Sequence, residues 1–87
     1  MSTGDALRVV TLAAQAEMAL VRRDQVAGPL LAQASRAAAG TPAAGFLEEA
    51  AAMVRVAPER EAVRQAALSL CRMGLQQAQA RAMGGGP

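Results

Sequence analysis

The sequence predicts an all-α protein of three or four antiparallel helices arranged as two helical hairpins. Three observations lead there. Ala supplies 23 of the 87 residues, in the company of Leu, Met, Gln, Glu and Arg, all good helix formers. β-branched residues are few and scattered, so strands have little support. Breaks at Gly28-Pro29, Gly40-Thr41-Pro42 and Ala57-Pro58 divide the chain into stretches of helical length.

Ser2-Thr3-Gly4-Asp5 fits a capping box, with Ser2 taking the free amide of Asp5. From there an unbroken helical stretch runs to Arg22 or Arg23. Its apolar positions are Leu7, Val9, Val10, Leu12, Ala13, Ala16, Leu20 and Val21. At about 100° per residue, Arg8, Thr11, Gln15 and Arg22 gather on the opposite side, with Met18 among them. Pro disfavours helix at the residue before it and is tolerated in a first turn. This places a turn over 23–28 and a second helix over 29–39, or a single helix capped at Asp24 and kinked at Pro29.

At the next break Gly40 can end a helix in the left-handed region, Thr41 can cap the following one and Pro42 can sit in its first turn. The third helix, 42–55, buries Ala43, Phe46, Leu47, Ala50 and Val54, with Glu48 and Glu49 outward. Pro58-Glu59-Arg60-Glu61 opens a fourth, with acids near its positive end, running to Ala82. Its stripe is Val63, Ala67, Leu70, Cys71, Gly74 and Ala78. Residues 1–82 read as a single helical domain and 83–87 as a flexible Gly-rich tail.

A shift of 35 residues sets Leu12 on Leu47, Ala16 on Ala51, Met18 on Met53, Val21 on Val56, Ala27 on Ala62 and Ala32 on Ala67. A helix–turn–helix unit of about 34 residues is the tetratricopeptide period. Ala27 and Ala34, seven apart, look like that family's small-residue spacing. The resemblance implies a tetratricopeptide-like pair of hairpins, although the aromatic residues favoured in the motif's first helix are missing.

The absent residues exclude much chemistry. With no His and only Cys71, zinc binding, disulfide frameworks and a base-activated Ser or Cys nucleophile lack their parts. We expect no enzyme: no catalytic, cofactor-binding or metal site, and no small-molecule substrate. Cys71 reads as a small buried hydrophobe. All nine basic residues are Arg, strewn along the chain and offset by seven acids to a net charge of +2. No aromatic residue is interleaved to stack bases, so nucleic acid is not the expected partner. No apolar run reaches the ~18 residues of a membrane span, and no secretory signal is visible, which predicts a cytoplasmic protein. The absence of Lys, Asn and Ile suits a GC-rich bacterial genome.

Leu, Val and Phe together number only seventeen, and a chain this small buries about 60–65% of its surface on folding. Close helix approach through Ala and Gly, a partner that covers apolar surface, or both, must compensate. We therefore expect a protein–protein interaction module, such as an adaptor, secretion-type chaperone or accessory subunit. It would bind a partner helix in an apolar groove between the hairpins. Leu12, Met18, Val21, Leu30, Leu31 and Phe46 are the residues expected to line that groove or the core. Met53 and Met73 read as core. The first alternative is a structural subunit that assembles with copies of itself. The second is a small helical DNA-binding regulator, in which the Gly40-Thr41-Pro42 turn joins two helices and Arg55, Arg60 and Arg64 meet phosphates.

Overall fold

The computed structural model describes residues 3–84; Ser2 of the expected capping box and the last three tail residues lie outside them. Four helices follow one another: α1 (Thr3–Val21), α2 (Ala27–Ala37), α3 (Pro42–Val56) and α4 (Glu61–Ala82), with no strand among the described residues. The connections are only four or five residues long, which turns each helix back on its predecessor. Side-chain pairs fix the register of the first and last helices. Arg23 meets Glu61, Arg64 reaches the Leu20 carbonyl, and Cys71 reaches that of Ala13, so one helix descends as the other ascends.

Each helix packs on two neighbours, α1 on α2 and α4, and α3 on α2 and α4; the diagonal pairs scarcely touch. The result is a closed antiparallel four-helix bundle. A stack of like repeats would set equivalent helices side by side, α1 on α3 and α2 on α4. Those are the two pairs that do not pack. The 35-residue shift does match helix ends, since α1 and α3 stop at Val21 and Val56. It fails on faces: Ala27 is buried where Ala62 is exposed, and Leu47 is buried where Leu12 is half-buried.

The turns show where local chemistry acted. Arg23, not a glycine, takes the left-handed conformation after α1, at φ 58°. Its amide donates to the Leu20 carbonyl and that of Asp24 to Ala19, closing a Schellman cap. The Val26 amide donates to Asp24 Oδ1 at 3.0 Å, so α1 and α2 are separate helices. Helix α2 begins two residues before Pro29, which still falls in its first turn, where no amide is needed. Gly40 is left-handed at φ 85°, as expected. Thr41, by contrast, does not cap α3 with its side chain; its hydroxyl donates back to the Ala38 carbonyl at 2.7 Å. Arg60 is extended, so α4 starts at Glu61 and leaves Glu59 outside its first turn.

The core is built mainly of Ala. Eleven of the seventeen buried apolar residues are Ala, and Leu31, Leu47, Val9 and Cys71 are the largest side chains fully enclosed. Such a core needs closely approaching helices. The tightest crossing is at Gly74, where a Cβ would lie 2.8 Å from Leu47 Cγ and 3.0 Å from its Cδ2. Leu68, absent from the expected stripe of α4, is buried in it. Met73, expected in the core, is 45% exposed, because the α4 face toward its neighbours runs through Cys71 and Gly74 instead.

Candidate functional site

The buried side of α1 consists of Ala6, Val9, Ala13, Ala16, Ala19 and Leu20. Leu7 and Val21, expected on that side, face solvent: the small Ala side chains take the inward positions that close packing demands. Leu7 is 53%, Met18 50% and Val21 54% exposed. At 100° per residue these three fall within about 60° of one another, with Thr11 and Ala14 between them. Thr11 Oγ1 donates to the Leu7 carbonyl at 3.0 Å, so its hydroxyl is satisfied within the helix. Val26, 49% exposed, extends the face from the α1–α2 turn. A shallow hollow of about 390 Å³ opens where they meet, lined by Ala14, Gln15, Met18, Ala19, Arg22, Asp24 and Val26.

Charges border this stripe on both sides. Arg8, Gln15 and Arg22 are exposed along one edge. Neither arginine pairs with an acid among the described residues. Along the other edge Arg72 Nε donates to Glu17 Oε2 at 2.7 Å.

A larger concavity lies elsewhere. A cleft of about 830 Å³ opens at the end of the bundle where the 22–26 and 57–60 turns come together, floored by Leu20, Ala27, Ala51, Val54 and Val63. Three of its seven charged side chains, Arg23, Glu61 and Arg64, bind one another. Arg64 clasps Glu61 through Nε and Nη2 and donates from Nη1 to the Leu20 carbonyl at 2.7 Å. Arg23 and Gln65 also donate to Glu61, at 3.2 and 3.0 Å. This cluster ties the two hairpins together. The hydrogen bonds from Arg64, Gln65 and Arg23 hold the Glu61 carboxyl down, from 4.5 to about 2.

A carboxyl whose folded pKa is lowered adds stability above its unfolded value and loses it as pH falls toward the folded one. The parent protein should therefore be more stable than a Glu61→Gln variant at neutral pH. That difference should shrink from about pH 4.5 downward and close near pH 2. Urea midpoints measured across this range test it, and a pH-independent difference would contradict it.

Of the six residues expected to line the groove or the core, the structure brings Met18 and Val21 together on the open face. Leu12 and Leu30 lie half-buried against the core, Phe46 is half-buried on α3, and Leu31 is fully enclosed, a core residue beyond a partner's reach. None of the six lines the cleft between the hairpins. Leu7 and Val26 were missed. For Leu7 the signal was present: it stands three helical turns from Met18, on the same line. The arginines of the DNA-binding alternative gather at the cleft. Arg55, Arg60 and Arg64 line the cleft at the opposite end of α3 from Gly40, and Arg64 is held by Glu61.

Cys71 is buried, with Sγ donating to the Ala13 carbonyl at 3.4 Å. Burial, aided by Glu17, pushes its thiol up to about 11. It is protonated at neutral pH, as a packing residue would be. No group of metal-ligating side chains occurs among the described residues, and no helix there is long and apolar enough to cross a membrane. Comparison with known protein families, curated proteins and solved structures finds no match to this chain.

Proposed function

We propose that this chain is a non-enzymatic protein–protein interaction module whose α1 face receives an amphipathic helix of a partner. One observation carries the reading. Seven large apolar side chains are strongly exposed (Leu7, Met18, Val21, Val26, Val56, Met73 and Met83), against five fully in the core (Val9, Leu20, Leu31, Leu47 and Leu68) and six half-buried on it (Val10, Leu12, Leu30, Val54, Leu70 and Leu75). A self-sufficient bundle would use its scarce bulky residues inside. Here Ala fills the interior, and three of the exposed seven fall along one line of α1. Met18 and Val21 stand at the i, i+3 spacing of helix-in-groove anchors, with Leu7 three turns away on the same line. The docking place differs from the expected groove between the hairpins, where Arg23, Glu61 and Arg64 are engaged in holding the bundle end. A cytoplasmic adaptor, accessory subunit or secretion-type chaperone fits this reading.

The test is a Met18→Glu, Val21→Glu double variant. Both positions face solvent, so its stability should stay within about 0.5 kcal/mol of the parent. Its binding to a Leu-faced amphipathic probe peptide should fall about 100-fold, as for loss of central apolar anchors. A variant that unfolds would show this face to be structural. One that folds and binds the peptide unchanged would remove α1 as the docking surface.

A further inference from the structure

We infer that the helix received by α1 belongs to a different protein and carries acidic residues along its flank, read by Arg8 and Arg22; this rests on the docking role proposed for the face. The argument is one of register. Arg8 and Arg22 lie on the same edge of the stripe, 14 residues or about 21 Å apart along the helix. The stripe from Leu7 to Val21 is centred on Ala14, almost midway between them.

That symmetry acts against self-pairing. If two copies met antiparallel across their stripes, Arg8 of each would face Arg22 of the other, and two like-charge pairs would form at the rim. A parallel pair would bring Arg22 toward Glu17 of the second copy, but Arg72 already holds that carboxylate at 2.7 Å. An acidic partner helix meets neither obstacle. Its carboxylates, spaced about four turns apart, match two exposed guanidiniums that no acid among the described residues engages. Its apolar face covers Leu7, Met18 and Val21, and one larger side chain can enter the hollow beside Met18 and Val26. A bilayer is the poorer fit, since the chain has no Trp or Tyr to anchor at an interface.

The experiment uses two helical peptides with the same Leu face, one flanked by Glu and one by Lys, titrated against the full chain at low and high salt. The Glu-flanked peptide should bind at least about ten-fold tighter at low ionic strength, and the gap should narrow in high salt. Arg8→Glu with Arg22→Glu should reverse the preference, while Arg8→Lys with Arg22→Lys should keep its direction. Equal binding of both peptides, lost in the Met18→Glu, Val21→Glu variant, would overturn the charge readout and leave the docking face standing. Absence of binding to either peptide would overturn both. Sedimentation should find the parent monomeric; a dimer abolished by the same double variant would make a second copy the occupant and overturn the inference. So would tighter binding to phosphatidylserine-containing vesicles than to the Glu-flanked peptide.

Discussion

Leu47→Ala is expected to cost the bundle about 3 kcal/mol, within the range for emptying a buried leucine site. Leu47 is fully enclosed and is one of few large side chains in a core made mostly of Ala. Across from it stands Gly74, which has no side chain to move into the space. For a domain this small, whose total stability lies near the lower end of about 5–15 kcal/mol, that loss is severe. The same crossing supplies a sharper test. Gly74→Ala alone should destabilise by about 1–2 kcal/mol, because its methyl collides with Leu47 by more than the ~1 kcal/mol gained in helix propensity. In the Leu47→Ala background the colliding atoms are gone, so Gly74→Ala should become stabilising. The two substitutions should therefore couple by at least about 1 kcal/mol in a urea-unfolding cycle. Additive losses would show that Leu47 and Gly74 do not share the crossing.

The second large effect should come from enlarging an alanine. Ala13 is fully buried on α1, and Cys71 of α4 reaches its carbonyl at 3.4 Å, so the helix surfaces are already in contact there. Ala13→Leu adds volume where none is free, and overpacking of this kind costs about 1–3 kcal/mol, here at the upper end. Ala14→Leu, one residue further along, adds the same volume beside the outer hollow. Its cost should stay within about 0.5 kcal/mol. Thermal melts of the pair distinguish a core that depends on small residues from one that merely contains them. Equal losses at both positions would contradict the close approach of α1 and α4.

These substitutions also show which features could be read from the chain. The turn at Gly40-Thr41-Pro42 was legible because a left-handed glycine followed by a first-turn proline is stereochemically specific. The turn after α1 was legible over 23–28, but its cap was not, since Arg23 occupies a backbone region usually left to Gly and no residue type announces it. The separation of α1 from α2 ahead of Pro29 followed from that cap. The alternation of faces on α3 was legible in Ala43, Leu47 and Ala50, which are buried as their spacing implied. On α1 the wheel misled for Leu7 and Val21. Ranking residues by oiliness places Leu and Val inward and treats Ala as filler, whereas closely packed helices select the small residues for the inner face. Met18 escaped that error because its polar neighbours already marked its side as outward. The Glu61 cluster joins residues 38 positions apart through two turns, and no local spacing encodes such a contact.

The central claim is that a sealed interior of alanine leaves a usable apolar face along α1. Thermal unfolding of the parent chain over a titration of the Glu-flanked peptide tests it most directly. A ligand that binds only the folded state raises stability by about 2.7 kcal/mol at a hundred times its dissociation constant. The melting temperature of the parent should climb steadily with peptide, while that of the Met18→Glu, Val21→Glu variant stays where it began. A parent protein whose transition does not move at any peptide concentration, or a variant that rises as far as the parent, would contradict the account.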